Sequence, residues 1–235
     1  MSSATKTAPK RDVTHPFDLK HGLDTGGYLG PEELVKGRPN DAHNHGYSAI
    51  APSVFYEACR RWRATLPAVS GRVEGYTFVD VGAGKGRAIL LASELPFRKI
   101  VGVELSEELA CTAQENVERW KRARHSWTGK RIRVVRGDAL EFRWPRTPLL
   151  IYMYNPFSCP LIAQLSAKLA SAARPGSHLI DLLYANPTCS DALTSAGLFE
   201  RLWTARIEMD EADQKADPYG TNSDLVSAYR LHPHR

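Results

Sequence analysis

The sequence predicts an α/β protein built on a doubly wound, mostly parallel sheet of seven strands with an antiparallel last strand. Two observations carry that expectation. From residue 76 onward, short apolar runs alternate with helical periodicities, and continuous apolar strands of this kind belong to sheets covered on both faces. Within that pattern, Phe78-Val79-Asp80-Val81-Gly82-Ala83-Gly84-Lys85-Gly86-Arg87 reads as a buried strand, a glycine turn and the start of a helix. There, bare backbone can approach a ligand.

Taken in order, residues 1–14 are small and polar and are expected to form a disordered tail rather than a secretory leader. Residues 15–70 form an N-terminal segment rich in Gly, Pro, His and Asn, expected to lie across the sheet as a lid. It has turn signals at 25–27 and 37–40 and a short helix expected over 31–36. Pro52 opens a longer helix, in which Val54, Phe55, Ala58, Cys59, Trp62 and Leu66 recur at three- and four-residue steps until Pro67. Residues 71–235 form the main domain, with strands expected at 76–81, 99–103, 131–136, 148–154 and 178–183 and helices at 87–94, 107–124 and 161–173. A helix near 189–196 and an antiparallel pair at 199–208 and 225–231 complete it, with 210–222 as a long hairpin loop.

Composition narrows the class. No apolar run approaches the ~20 residues that span a membrane, and the chain is expected to be cytoplasmic. The four cysteines, Cys59, Cys111, Cys159 and Cys189, form no CxxC pair and are read as isolated thiols of a reducing compartment. His43-Asn44-His45 is the one histidine pair with ligand-like spacing, and no metal is expected. The net charge is +5, with much of the excess in Arg119, Lys121, Arg122, Arg124, Lys130, Arg131, Arg133 and Arg136. That run reads as a solvated helix end and strand face, with a phosphate-tracking patch as the alternative. Trp120 and Trp127 lie within it, and one of them is expected in the core.

The glycine turn admits three nucleotide chemistries. A phosphate loop needs a Ser or Thr after its Lys, but Gly86 follows Lys85. A dinucleotide site wants GxGxxG, but Arg87 and Ala88 follow a GxGxG run. The third is signalled by a second strand, Ile100-Val101-Gly102-Val103, which ends in Glu104 and is followed by Leu105-Ser106, and by Gly137-Asp138-Ala139 after the next strand. In order and spacing over about 78–184, these elements resemble the class I, Rossmann-like S-adenosylmethionine-dependent methyltransferases. The overall pattern is similar to small bacterial members of that class. The resemblance implies S-adenosylmethionine as cofactor, held by Asp80, Gly82, Ala83, Gly84, Lys85, Gly86, Glu104, Leu105, Asp138, Ala139 and Asn155. In it, Glu104 accepts both ribose hydroxyls, Asp138 accepts from the adenine amino group, and Asp80 holds the methionine end.

The acceptor side is expected at Tyr154-Asn155-Pro156-Phe157, which ends the fourth strand at the switch point of a doubly wound sheet. The turn resembles the Asn/Asp-Pro-Pro-Tyr/Phe motif of amino-group methyltransferases, one proline short. With Tyr47 and Pro52-Ser53-Val54-Phe55 it also partly resembles the non-SET histone-lysine methyltransferases. These likenesses imply N-methylation of an amine on a protein or a small molecule, with Tyr47, Tyr154, Asn155, Pro156 and Phe157 at the acceptor. His43, His45, Tyr47, Glu32 and Glu33 are the candidate bases. Three alternatives remain at this stage: a nucleic-acid methyltransferase using residues 119–136, a cofactor-binding protein without transfer chemistry, and a dinucleotide oxidoreductase.

Overall fold

The computed structural model describes residues 14–38, 40–68, 71–123, 132–173, 178–195 and 197–231. A seven-stranded sheet is formed by β3 (Thr77–Val81), β4 (Lys99–Glu104), β5 (Ile132–Arg136), β6 (Leu149–Tyr154), β7 (Ile180–Ala185), β8 (Phe199–Glu208) and β9 (Ser223–Leu231). Two short strands, β1 (Tyr28–Leu29) and β2 (Tyr47–Ser48), pair antiparallel in the N-terminal segment. In the large sheet the order is β5-β4-β3-β6-β7-β9-β8, with β9 antiparallel to both of its neighbours. The last strand therefore inserts between β7 and β8. The strand order reverses between β3 and β6, which places a crevice at the carboxyl ends of those two strands.

Both faces are covered, as continuous apolar strands require. One face packs against α3 (Pro52–Arg63), α4 (Arg87–Ala92) and α5 (Glu107–Ala123), with Phe55, Trp62, Phe78, Leu90, Trp120 and Tyr152 among its buried side chains. The other packs against α6 (Cys159–Ala172) and α7 (Ser190–Thr194), burying Val79, Val81, Ile151, Met153, Ile162 and Leu165. Helix α6 starts ahead of the expected 161 because Pro160 sits in its first turn, where the missing N–H costs nothing. Trp120 is the core tryptophan, its indole N–H donating to Ser93, whereas Trp127 lies outside the described residues.

Two features depart from the sequence expectations. Cys159 and Cys189 are joined in a disulfide, while Cys59 is a buried free thiol and Cys111 an exposed one. Because β6 and β7 are neighbours, the segments that follow them meet at the same edge of the sheet. The hairpin segment 210–222 contains a helix, α8 (Glu211–Ala216), capped by the Asp210 carboxylate accepting from the Asp213 amide. The helix announces itself poorly because Asp213 is part of its buried face. The basic run is partly neutralised by Arg119–Glu115, Lys121–Glu118 and Arg136–Glu107 pairs. Arg124, Lys130 and Arg131 lie outside the described residues.

The N-terminal segment closes over the sheet through α1 (Pro16–His21), α2 (Pro31–Leu34) and β2. Its anchor is a buried ion pair, Arg87 Nη2 to Asp18 Oδ2 at 3.2 Å, with Arg87 Nε donating to the Thr25 hydroxyl at 2.7 Å and Nη1 donating to the Ile50 carbonyl. No helix among the described residues is long and apolar enough to cross a membrane.

Candidate functional site

At the switch point, the loops after β3, β4, β5 and β6 enclose a cleft of about 780 Å³, open on one side. Gly82 and Gly84 form its floor with φ of 75° and 54°, values that favour glycine. A Cβ at Gly82 would approach Pro156 Cβ to 2.9 Å, and one at Gly84 would lie 2.1 Å from the Tyr47 ring. The turn is braced on β4: the amides of Gly82 and Ala83 donate to the Val103 carbonyl at 2.9 and 3.0 Å, and that of Gly84 donates to Glu104 at 2.7 Å.

Glu104 and Asp138 line the cleft with Leu105, Ala139, Leu140 and Leu109. Glu104 accepts a second bond from the Ser106 amide at 2.8 Å. Burial raises its carboxyl above the usual value, although the surrounding amides oppose the shift. Asp138 accepts from the Leu140 amide at 2.8 Å and from Asn40 Nδ2 at 2.5 Å, so a lid residue touches the carboxylate expected to face adenine. Arg38 donates to the Leu105 carbonyl, tying the lid to the rim of the same cleft.

Asp80 lies behind the glycine turn rather than in the cleft lining. It is 3% exposed. Burial first, then the charge of Glu104, holds its carboxyl well above the ordinary range. Two neighbouring buried carboxylates, neither ion-paired among the described residues, suit a ligand that carries positive charge. Of the other expected cofactor contacts, Ala83, Lys85 and Gly86 are not in the lining, and Lys85 instead pairs with Asp24 of the lid at 2.7 Å.

On the acceptor side, Tyr47, Tyr154, Pro156 and Phe157 line the cleft, but Asn155 does not. Its side-chain oxygen accepts from Thr188 at 2.7 Å and Tyr184 at 3.1 Å, and its φ is 43°. The backbone of this turn holds the lid: His45 N donates to the Pro156 carbonyl, the His45 ring bonds the Asn155 carbonyl, and Asn44 bridges Phe157. The candidate bases are similarly committed. His43 Nδ1 bonds the Ser158 hydroxyl, Glu33 caps the Gly30 amide, Glu32 is exposed, and Tyr47 donates to the Thr25 carbonyl. Burial raises the Tyr47 hydroxyl well above the usual tyrosine value, so it stays neutral.

A second cleft meets the first, with Ser48 and Tyr154 common to both linings. Its walls include Gly26, Gly27 and Arg87 from the lid and α4, and Asp213, Asp217, Tyr219 and Asp224 from the segment between β8 and β9 and the start of β9. Sequence reasoning missed this wall because it treated 210–222 as a plain loop. One signal was present: Asn186-Pro187 after β7 repeats the Asn155-Pro156 turn after β6, and Asn186 also has a left-handed φ, 47°.

No family model matches the sequence, and no curated protein matches it. Solved structures do. The chain superposes on TrmN from Thermus thermophilus with a TM-score of 0.53 at 18% identity, covering 78% of this chain and 49% of that one, about half its length. It also matches ribosomal protein L11 methylase from Lactobacillus delbrueckii subsp. bulgaricus (TM-score 0.49, 14% identity, 76% and 78% covered). A third match is an arsenic(III) S-adenosylmethionine methyltransferase from Chlamydomonas reinhardtii (TM-score 0.44, 15% identity, 74% and 73% covered). The fold is that of the class I methyltransferases.

Proposed function

We propose that this chain is an S-adenosylmethionine-dependent methyltransferase that acts on an amine nitrogen of a protein or a small molecule. The fold and the paired carboxylates Asp80 and Glu104 support the donor. The observation that carries the amine is the second cleft, which joins the cofactor cleft at Tyr154 and Ser48 and presents Asp213, Asp217, Asp224, Tyr154 and Tyr219, while the guanidinium of Arg87 in the same lining is already paired with Asp18. Such walls favour a cation over an anion such as a phosphate backbone. The basic side chains at the end of α5 sit toward the amino-terminal ends of the strands, away from the cleft at their carboxyl ends, because a helix following a parallel strand runs back along it.

Glu104 would hold the ribose hydroxyls and Asp138 the adenine amino group, while Asp80, behind the glycine turn, would favour the cationic methionine end through its charge rather than by direct contact. When bound, the cofactor supplies a methyl group on a cationic sulfur: the N–C bond forms as the S–C bond breaks, leaving its electron pair on sulfur. The chain's own contribution is alignment, which can be worth effective molarities of about 10⁵–10⁸ M. The acceptor must shed a proton to expose its lone pair; burial beside a positive charge lowers the pKa of an ammonium, and the proton passes to solvent through the open side of the cleft before the methyl group moves. A dedicated histidine base is therefore dispensable, in line with the commitments of His43 to Ser158 and of His45 to the Asn155 carbonyl. The lid also keeps water from the reacting atoms.

The test offers methyl-labelled S-adenosylmethionine together with alkylamines, lysine peptides and total RNA. Label in the amines supports the proposal, and label in RNA alone overturns the amine assignment. Failure of the wild-type chain to bind S-adenosylhomocysteine overturns the methyltransferase reading itself. With Glu104→Ala, affinity for S-adenosylhomocysteine is expected to fall by at least about tenfold, since charge-assisted bonds are worth roughly 1.5–3 kcal/mol. Unchanged binding by calorimetry would take Glu104 out of the site.

A further inference from the structure

We infer, resting on the methyl-transfer reading above, that Tyr154 and Asp224 form the acceptor's cation-binding subsite and that the acceptor binds as an alkylammonium. Tyr154 is the last residue of β6 and belongs to both clefts, so whatever crosses from one to the other passes it. Its hydroxyl lies 3.4 and 3.5 Å from the two oxygens of Asp224, a long contact shared between them. Asp224 stands near the start of β9, 1% exposed as a residue, yet lines the second cleft.

The position of Asp224 is prepared by the neighbouring strand. Asn186, just beyond β7, donates from Nδ2 to Asp224 at 2.8 Å and accepts the Leu225 amide on its side-chain oxygen. Beside it, Asn155 follows β6 and is latched by Tyr184 and Thr188. Tyr154 and Ala185 are paired in register, so these two Asn-Pro turns stand side by side. One holds the lid and the cofactor-side wall; the other holds Asp224.

The other carboxylates of the second cleft have structural duties. Asp213 binds Ser53 and His15, tying α3 and α1 to α8. Asp217 accepts the amides of Tyr219 and Asn222 and the Thr221 hydroxyl, which shapes the hairpin. Asp224 differs in its placement, because its contact runs through Tyr154 to the junction with the cofactor cleft. A carboxylate backing a tyrosine hydroxyl, with Tyr219 in the same lining, provides charge and aromatic surface for an ammonium group. An alcohol of the same shape would gain little there. Tyr154 touches the acceptor; Asp224 is a positioning residue that acts through it and selects for charge.

The experiment uses the full chain saturated with S-adenosylhomocysteine and titrates it with n-butylammonium chloride, with n-butanol and with a lysine-containing pentapeptide. Ammonium binding at least about tenfold tighter than butanol is expected. Asp224→Asn is expected to remove most of that preference while leaving S-adenosylhomocysteine affinity within about twofold. Tyr154→Phe, which keeps the ring but removes the hydroxyl through which Asp224 acts, is expected to lose a similar share of the ammonium-over-butanol preference. A tighter peptide assigns the ammonium to a protein lysine, and tighter butylammonium to a small amine. Equal binding of butanol and butylammonium, no binding of either ammonium, or an unchanged preference in Asp224→Asn overturns the inference. Should Asp224→Asn fail to fold, the ammonium-to-butanol ratio in wild type and Tyr154→Phe decides it. Loss of S-adenosylhomocysteine binding by wild type would instead remove the underlying reading.

Discussion

Asp80, one residue before the end of β3, and Glu104, the last of β4, are 3% and 7% exposed, and their charge state follows from that burial. Both carboxyls are raised above their ordinary values of 3.8 and 4.5, chiefly by desolvation and, for Asp80, also by the charge of Glu104. The folded chain thus retains protons that the unfolded chain has released. These groups contribute most to stability below the ordinary carboxylate range, and that contribution falls as pH rises toward their raised folded values. A cationic cofactor favours the ionised pair, so its affinity rises with pH over the same window. Calorimetry between about pH 5 and 8 is expected to show S-adenosylmethionine binding more tightly at higher pH with proton release. Asp80→Asn should flatten most of that slope. A flat wild-type profile, or a slope kept in the variant, would count against this electrostatic account. The acids themselves were legible in the sequence, since each closes an apolar strand beside a glycine turn. That Asp80 stands behind the turn, and that Asn155 faces Tyr184 rather than the cleft, depended on side-chain direction, which residue identity does not encode.

Among the elements, the segments after β6 and β7 hold the site together. The disulfide Cys159–Cys189 joins residues 30 apart in sequence, and closing such a loop restricts the unfolded chain by roughly 3–4 kcal/mol at most. The double variant Cys159→Ser/Cys189→Ser is expected to melt lower by about 5–15 °C in a chain of this size. An unchanged melting temperature would mean that the bridge only records a proximity already enforced by the sheet. The strands were largely legible, because continuous apolar runs bounded by Gly, Pro and charged residues leave few alternatives. Helix α8 was not: Asp213 belongs on its buried face only because Ser53 and His15 meet it there.

Across the whole molecule, a buried polar network ties the sheet to α3. Asp181 on β7 accepts from Arg230 of β9 through Nε at 2.7 Å and Nη2 at 3.0 Å, and from the Trp62 indole at 2.8 Å. Removing the carboxylate strands a largely buried guanidinium and an indole N–H, so Asp181→Ala is expected to cost about 3–5 kcal/mol in urea unfolding. A loss under about 1 kcal/mol would show that water rescues both donors. The lid depends on similarly distant partners, Arg87 with Asp18 and Asn40 with Asp138.

What the sequence determined by itself is therefore the sheet, the glycine turn and the carboxylates at its strand ends. Those features are written in runs of ten residues or fewer, where strand periodicity and glycine's freedom act locally. The closure of the lid, the disulfide, the role of Asn155 as a latch and the placement of Asp224 beside Tyr154 were decided by tertiary structure. Each depends on strands far apart in the chain becoming neighbours, as when β9 inserts between β7 and β8 and carries Asp224 to the junction of the two clefts.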